Sequence, residues 1–525
     1  MGFAKVTRRY FSKKIYAVSA VGAFAMSMQG YANASESTRD DFAKGERPNF
    51  VIIMADDVSW DDFGCYGNPH VRTPSIDKLA DNGIRFVNAY LTTSSCSPSR
   101  CSIITGRYPH NTGAAELHLP LPENQIPFPS VMKKAGYYTV HAGKWHYGNI
   151  HASFDVVKYD KRGDSWKNDP SMSGWFVDLI KGRPKDKPFF AFFNSLDAHR
   201  GWDAHLGVVD EENSLARQNR DKVVVPEYLA DTPATRDDLA HYYEEIHRFD
   251  LYVGKVIAEL EKQGVLDNTV VMVMADNGRP FPRCKTRLYD CGIKSPFVVH
   301  FPNMIKKRGA KSHALVSAID IAPTILDLAG VSIPNKVQGR SFASLLREPS
   351  NKFRRYVFAE HNWHDMEAFE RMVRSEDYMY IYNGRPNFPN CGPADSISCR
   401  THAELKKLYD AGQATPAQAD CFIAPRPDEE LYDMREDSDQ LNNLAANPKY
   451  ETALEEMRKV MKIWQFQTCD SMPDRLTPDV FLREFIPKQR FVRDDISPEE
   501  LMKQSRADQP GIDKGSDTCL NTGPF

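Results

Sequence analysis

Long apolar runs, an excess of charge of either sign, and repeated or low-complexity segments are all scarce in this chain of 525 residues. Residues 15–28 are uncharged, but this stretch is shorter than the ~20 residues of a membrane-spanning helix, and no later run reaches that length. Lys and Arg total 67 against 70 Asp and Glu, which gives no indication of a nucleic-acid partner. The sequence therefore predicts a globular protein with no stable membrane span and no nucleic-acid partner.

The first 34 residues have the layout of an export signal. Basic residues precede the uncharged stretch, and Ala32 and Ala34 supply small residues for cleavage. The surroundings of Arg8 and Arg9 resemble the twin-arginine signal, an address for proteins exported in folded form; an ordinary secretory signal is the alternative. We therefore predict a signal peptide over residues 1–34 and a periplasmic or secreted protein.

The remaining chain exceeds the ~250–300 residues at which one hydrophobic core stops growing, so a large domain and a smaller one are expected. Short apolar runs, predicted as strands, alternate with helical patterns; the strands are residues 49–54, 137–142, 188–194 and 269–274. This alternation indicates an α/β domain with a largely parallel sheet, predicted over 48–351. From residue 352 the pieces become shorter and the loops richer in Pro, Gly and Cys, which indicates an α+β subdomain and tail over 352–525.

The most specific motif begins at Cys96. It reads Cys96, Pro98, Ser99 and Arg100 with one unspecified position, and Thr-Gly-Arg follows at residues 105–107. Pro98 favours a first helical turn and the glycine at 106 a helix end, which would place residue 96 beside a helix N-terminus, where anions bind well. A disulfide or a buried free thiol is the alternative reading of Cys96 alone.

Two polar pairs follow predicted strands that are far apart in sequence. They are Asp56 with Asp57, and Asp276 with Asn277. The carboxyl ends of strands gather site residues in α/β folds, and hard oxygen ligands suit calcium or magnesium better than zinc. One such pair alone would more often be a turn or a helix cap, but two pairs flanking the cysteine motif indicate a metal site.

The motif from Cys96 to residue 107 resembles the signature of the type I sulfatases. That resemblance implies an alkaline-phosphatase-like α/β sandwich with a large mixed central sheet and a smaller C-terminal α+β subdomain. It also implies that Cys96 is oxidised to formylglycine by a formylglycine-generating or anaerobic sulfatase-maturing enzyme. The protein would then be a sulfuric ester hydrolase that uses the hydrated aldehyde as its nucleophile.

The same resemblance implies one calcium ion and a set of site residues. The implied metal ligands are residue 96 together with Asp56, Asp57, Asp276 and Asn277. Arg100 would orient the formylglycine, and Lys144 with Lys285 would bind the sulfate oxygens. His199 would protonate the leaving oxygen and His146 would assist the hydrated aldehyde, although these two roles could be exchanged.

Lys144 and His146 match the family phrase Gly-Lys-Trp-His, and His199 matches a further position of the family pattern. Lys285 is assigned by its distance to residues 290–292, which read Asp-Cys-Gly where the family often has Glu-Gly-Gly. This departure leaves Arg283 and Arg287 as competitors for the position.

The phrases around Cys96 and Asp276 resemble most the heparan N-sulfatase (sulfamidase) branch and its bacterial polysaccharide-sulfatase relatives. The predicted substrate is a sulfated polysaccharide or oligosaccharide, either a carrageenan-type galactan or a glycosaminoglycan. Alternatives are an N-sulfoglucosamine sulfohydrolase, a phosphate or phosphonate ester hydrolase on the same fold, and a silent carbohydrate-binding protein with unmodified Cys96. Candidate sugar contacts, each with a structural alternative, are His118, His361, Trp363 and His364.

The chain has ten cysteines. Conversion of Cys96 would leave an odd number, so at least one thiol would lack a partner. Cys469 with Cys519, and Cys391 with Cys399 or Cys421, are the bridges considered, and sequence alone does not choose among them.

Overall fold

The computed structural model describes residues 47–159, 171–202, 219–390, 392–473, 476–477 and 519–525. The predicted signal peptide, residues 1–34, lies outside the described residues. None of the helices in the described ranges combines the length and the apolar character that crossing a lipid bilayer requires.

Eight strands form the central sheet: β1 (Asn49–Ala55), β2 (Ile84–Tyr90), β3 (Tyr138–Gly143), β4 (Val156–Lys158), β5 (Phe189–Asn194), β6 (Thr269–Ala275), β7 (Phe297–His300) and β8 (Ala310–Ser317). Their spatial order is β4-β3-β5-β1-β6-β7-β2-β8. β7 runs antiparallel to both β6 and β2, and the other neighbouring pairs are parallel. The mixed central sheet implied by the sequence resemblance is therefore confirmed.

The middle strands β1, β5 and β6 are buried along their whole length. Val51 of β1 lies between Ala191 of β5 and Val271 of β6. Strands that are covered on both faces have continuous apolar sequences without alternation, as parallel strands in α/β proteins do. This is why the apolar runs of the sequence predicted the strands to within one or two residues.

Thirteen helices are described: α1 (Pro74–Asp81), α2 (Cys96–Thr105), α3 (Pro109–Thr112), α4 (Phe128–Lys134), α5 (Ser171–Lys181), α6 (Pro233–Lys262), α7 (Asp290–Ile293), α8 (Ile321–Leu328), α9 (Ala343–Arg347), α10 (Ala394–Ile397), α11 (Arg400–Asp410), α12 (Pro416–Ala419) and α13 (Glu451–Thr468). The longest helix, α6, has a capping residue at its start: the Thr232 side chain accepts a hydrogen bond from the Thr235 N–H at 3.2 Å. Such a cap satisfies a backbone donor that the helix itself cannot pair.

A second sheet has four antiparallel strands in the order β12-β11-β10-β9. Its strands are β9 (Val357–Trp363), β10 (Glu367–Arg374), β11 (Tyr378–Asn383) and β12 (Glu429–Asp433). Alternate residues face opposite ways: Ala359 and Ile381 join the core of the large sheet, whereas Phe358 and Tyr380 pack with Trp464 of α13. The small sheet is thus held between the central core and the last long helix.

A disulfide joins Cys469 to Cys519, with their Cα atoms 5.9 Å apart. It confirms one of the bridges considered from the sequence. The bridge holds residues 519–525 against the end of α13, where the Thr522 carbonyl accepts a hydrogen bond from the Tyr108 hydroxyl at 3.3 Å. Cys391 lies outside the described residues, and Cys399, one of its two possible partners, has a free thiol.

Candidate active site

Asp56 and Asp57 follow β1 at the carboxyl edge of the sheet, as predicted. Successive side chains of a strand point to opposite faces, but the backbone turns at Asp57 with a φ of 60°. Aspartate tolerates this left-handed conformation better than most residues. The turn brings both carboxylates to the same side, and their Oδ1 atoms lie 3.7 and 3.9 Å from the Cys96 sulfur.

Cys96 is the first residue of α2, a helix whose ten residues are all buried. The helix thus begins two residues before the turn expected at Pro98, and it ends as predicted at Gly106, whose φ of 66° suits glycine. The start of a helix carries partial positive charge and backbone N–H groups without helical partners. Residue 96 therefore lies where a bound anion would be stabilised.

Arg100 lies four residues after Cys96 on the same helix and is completely buried. Its Nε and one terminal nitrogen each lie 2.8 Å from Asp276 Oδ2, and the same terminal nitrogen lies 3.6 Å from Asp56 Oδ2. One guanidinium therefore joins the carboxylates that follow β1 and β6.

Asn277 completes the group at the end of β6. Its Nδ2 donates to Asp57 Oδ1 at 2.6 Å, whereas its Oδ1 is buried and has no hydrogen-bond partner among the described residues. A buried amide oxygen without a partner is costly unless a cation or donor faces it. Oxygen atoms from Asp56, Asp57, Asp276 and Asn277 are the ligand type that calcium prefers, so this set fits such an ion.

Lys144 comes directly after β3, at a point where the backbones of β3 and β5 lie close together. A Cβ at Gly143, whose φ is 92°, would lie 1.8 Å from the Asn194 carbonyl oxygen, so no other residue fits there. That carbonyl also accepts the Lys144 N–H at 2.9 Å. The Lys144 ammonium consequently reaches into the site and donates to Asp56 Oδ2.

Lys285, and neither of its two competitors, reaches the carboxylates. Its ammonium lies 2.8 Å from Asp57 Oδ2 and 2.8 Å from Asp395 Oδ2. Arg283 instead donates to the backbone carbonyls of residues 439 and 440, and Arg287 pairs with Asp420 at 2.9 Å. Although these three residues are close together along one loop, the lysine contacts the site carboxylates and the arginines contact other groups.

His199 and Asp395 form the partly exposed side of the cluster. His199 Nε2 lies 3.7 Å from Asp395 Oδ2 and 4.0 Å from Asp57 Oδ2, and the side chains of His199 and Asp395 are 19 and 20% exposed. No motif in the sequence indicated Asp395, which lies on the four-residue helix α10, over a hundred residues after Lys285.

His146 is half-buried beside His118, with 2.8 Å between His146 Nε2 and His118 Nδ1. His364 Nδ1 lies 2.9 Å from the Ser95 hydroxyl oxygen, directly before Cys96. His118 and His364, two candidate sugar contacts, therefore lie near the predicted site residues. The other two, His361 and Trp363, are buried in β9 with 3% exposure each.

The pKa values show a cluster in which negative charge is only partly compensated. Burial would raise the pKa of Asp56, but Lys144 and Arg100 outweigh it and lower that pKa below its usual range. Burial raises the pKa of Asp57 to about 8 despite Lys285, because Asp56 and Asp395 are near. Burial likewise raises the pKa of Asp276 despite Arg100. A bound cation would remove this penalty.

The fold and this site are those of a hydrolase, and comparisons with known proteins give the family. Residues 48–331 match the sulfatase family model, and residues 284–385 match the C-terminal model of N-sulphoglucosamine sulphohydrolase. The chain belongs to the sulfatase family, and it is a sulfatase.

Two curated relatives cover most of the chain. An ulvan-active sulfatase of Formosa agariphila is 31% identical over 469 residues, covering 80% of this chain and 75% of that protein. Human N-sulphoglucosamine sulphohydrolase is 30% identical over 477 residues, covering 84% and 94%. The similarity therefore extends beyond the motif at Cys96 to nearly the whole described chain.

Solved structures confirm the alkaline-phosphatase-like sulfatase fold. A structure bound to D-glucosamine-2-N,6-O-disulfate has a TM-score of 0.64 at 21% identity, covering 82% of this chain and all of that one. The phosphonate monoester hydrolase of Agrobacterium radiobacter has a TM-score of 0.59 at 18% identity, covering 79% and 94%. At such identities the likeness concerns the fold alone.

Proposed function

We propose that this protein hydrolyses sulfate from a sulfated carbohydrate, using a formylglycine made from Cys96 and one calcium ion. The observation that carries the proposal is the position of Cys96. It is the first residue of a buried helix and lies 3.7 and 3.9 Å from two carboxylates that end the central strand.

The unmodified thiol would be a poor nucleophile in this place. Burial raises the pKa of Cys96 well above its ordinary value, against the effect of Lys144 and Lys285, so the reactive thiolate is disfavoured. Conversion to formylglycine breaks the Cβ–S bond and releases the sulfur as sulfide. Cβ gains a carbonyl oxygen from water, and two electrons with two protons pass to an oxidant such as dioxygen held by a separate maturing enzyme.

In its formylglycine form, residue 96 supplies a hydrated aldehyde, of which one hydroxyl attacks sulfur while the second allows sulfate to leave afterwards. Arg100, one helical turn away, orients this group. Lys144 and Lys285 hold the sulfate oxygens, where their fixed charges stabilise the developing negative charge. Their ammonium groups already donate to Asp56 and to Asp57 respectively.

His199 protonates the leaving oxygen and His146 assists the hydroxyl of residue 96, unless these two roles are exchanged. Burial lowers the pKa of both histidines well below the usual value. A bound sulfate anion favours the charged form of the histidine that it faces, since opposite charges stabilise each other in a dry site. The partial exposure of His199 places it on the side that an entering sugar reaches first.

The proposed calcium ligands are Asp56, Asp57, Asp276 and Asn277 with residue 96. When bound, calcium neutralises these carboxylates and polarises the sulfate oxygens. With Asp395 included, four carboxylates and one sulfate charge balance the ion together with Arg100, Lys144 and Lys285. A buried site tolerates such a balance, whereas uncompensated charges would each cost several kcal/mol.

The proposed substrate is a sulfated polysaccharide or oligosaccharide, of the carrageenan-type galactan or glycosaminoglycan class. The relatives named for ulvan and for N-sulphoglucosamine support a sulfated sugar. A second candidate, N-sulfoglucosamine sulfohydrolase activity, is favoured by the match of residues 284–385 to that enzyme's C-terminal model. Export through residues 1–34 to the periplasm or beyond remains part of the proposal.

Peptide mass spectrometry across Cys96, on protein from a host that matures sulfatases, tests the nucleophile. We expect a loss of about 18 Da relative to cysteine, the difference between a thiol and an aldehyde side chain. The same protein is then assayed on sulfated galactans, glycosaminoglycans, N-sulfoglucosamine and an aryl phosphate. An intact cysteine in active protein contradicts the mechanism, and dominant phosphatase activity contradicts the assigned chemistry.

A further inference from the structure

Asp395 contacts Lys285 of the site, but it is more exposed to solvent than the other carboxylates there. Asp56, Asp57 and Asp276 are completely buried, whereas the Asp395 side chain is 20% exposed. Its Oδ2 accepts a hydrogen bond from the Lys285 ammonium at 2.8 Å, and among the described residues its Oδ1 accepts only a long bond of 3.3 Å from the Ser396 hydroxyl. Asp395 therefore keeps accepting capacity on its Oδ1 beside the entrance of the site.

The neighbour of Asp395 on the exposed side is His199, 3.7 Å away. In the proposed function His199 faces the oxygen that joins sulfur to the sugar. A carboxylate beside that histidine faces the sugar ring close to the sulfated carbon. Lys285 lies between Asp395 and Asp57 and donates to both.

The backbone holds this carboxylate in place. The Ala394 N–H donates to Asp365 Oδ2 at 2.9 Å, and the hydroxyl of Thr401 on the following helix donates to Asp238 Oδ2 at 2.7 Å. Asp238 is also bound by both terminal nitrogens of Arg200, at 2.9 and 3.1 Å. These bonds fix α10 against the catalytic part of the chain, so Asp395 is preorganised.

We propose that Asp395 is a specificity-determining residue that accepts a hydrogen bond from a hydroxyl group on the carbon next to the sulfated one. This inference rests on the proposed sulfatase site and narrows its substrates to sugars with a free neighbouring hydroxyl. A second sulfate at that carbon would meet the Asp395 charge and be disfavoured, since like charges in a poorly solvated site repel strongly.

Two aryl sulfates test the inference, because 2-hydroxyphenyl sulfate has a hydroxyl next to the ester and phenyl sulfate has none. The quantity measured is the ratio of their kcat/KM values, compared between matured wild type and variants so that the difference in leaving-group reactivity cancels. We expect Asp395→Ala to lower this ratio about tenfold, the effect of losing one hydrogen bond to a charged group. Asp395→Asn should lower it less, since an amide oxygen still accepts.

Asp410→Asn is the matched control, because it removes one negative charge from an exposed pair with Lys406 on the neighbouring helix. It should leave the ratio unchanged. If Asp395→Ala lowers both rates equally and keeps the ratio, Asp395 acts only through Lys285 or the fold, and the inference is overturned. If matured wild type with formylglycine at residue 96 hydrolyses neither these esters nor sulfated sugars, the proposed function itself fails.

Discussion

Two buried clusters of charge share the loop that carries Lys285, and they are built differently. The site cluster consists of Asp56, Asp57, Asp276, Asp395, Arg100, Lys144 and Lys285. The arginine network consists of Arg283, Arg287, Arg426, Glu370, Asp420 and Glu430. It joins the same loop to the small sheet.

Each carboxylate of the arginine network lies within ion-pair distance of an arginine. Glu370 receives Arg426 at 2.6 Å and Glu430 receives the Tyr289 hydroxyl at 2.7 Å. Burial would raise the pKa of Glu370, but Arg426 and Arg287 outweigh it and lower the pKa to about 2. In the site cluster burial instead raises the pKa of Asp57 to about 8.

The contrast separates a structural network from a site prepared for a ligand. A network that neutralises itself holds two parts of a chain together. A cluster with excess negative charge and an amide oxygen without a partner is costly by itself and becomes favourable when a cation binds. Burial and charge type alone would not have distinguished the two clusters, since both are buried and ionic.

The largest expected effect comes from removing the nucleophile of the site cluster. Cys96→Ala should lower kcat by about 10⁴-fold or more, as the loss of a nucleophile does in other hydrolases. Cys101→Ala is the control, because Cys101 is a second buried cysteine of α2; it should cost only about 1–2 kcal/mol of unfolding free energy. A Cys96→Ala enzyme with the wild-type rate would remove residue 96 from the mechanism.

Calcium removal should affect the site cluster alone. Exhaustive chelation should lower the sulfatase rate by at least about 100-fold, and added calcium should restore it, because the ion compensates Asp56, Asp57 and Asp276. Calcium should also raise the melting temperature of wild type by binding the folded state. Asp276→Asn should weaken that thermal shift. Full activity in the chelated enzyme would contradict the metal site.

Breaking the arginine network should lower stability strongly and turnover only slightly, the reverse of the effects expected for the site cluster. Arg426→Met leaves Glu370 buried without its partner, and the unfolding free energy should fall by about 3–5 kcal/mol. Adding Glu370→Leu should recover part of this loss, because the unpaired charge disappears. Denaturant unfolding measures both changes.

Lys406→Met provides the comparison with an exposed ion pair. The side chains of Lys406 and Asp410 are 51 and 58% exposed. Lys406→Met should therefore lower the unfolding free energy by at most about 1 kcal/mol. An equal loss of unfolding free energy in Lys406→Met and Arg426→Met would show that the buried network contributes no more to stability than an exposed ion pair.

A pH dependence of stability should come from His361, which pairs in register with Glu370 in the small sheet. Burial lowers the pKa of His361 to about 4, with Arg287 and Arg371 acting in the same direction. The folded state thus resists protonation that the unfolded chain accepts below its ordinary pKa of 6.5. Stability should fall by about 2 kcal/mol between pH 7 and pH 5. His361→Gln should reduce this slope, and an unchanged slope would contradict the assignment.

Elements whose pattern is local could be predicted from the sequence. The apolar runs ending at Asp56 and Asp276 gave two central strands, because strands covered on both faces need continuous apolar residues. The family motif at Cys96, with Pro98 and the glycine at 106, indicated the helix that holds the nucleophile position. The polar pairs at strand ends could be predicted to meet because carboxyl ends of parallel strands share one edge.

Two features of the site depend on the tertiary structure. One is which basic residue of the loop enters the site, and the other is the contribution of Asp395 from the C-terminal part of the chain. Arg283, Lys285 and Arg287 are close in sequence and similar in charge, and the path of the loop sends the lysine to Asp57 and the arginines elsewhere. Asp395 reaches Lys285 from over a hundred residues away. Such contacts depend on how distant segments pack, and packing leaves no periodic pattern in the sequence.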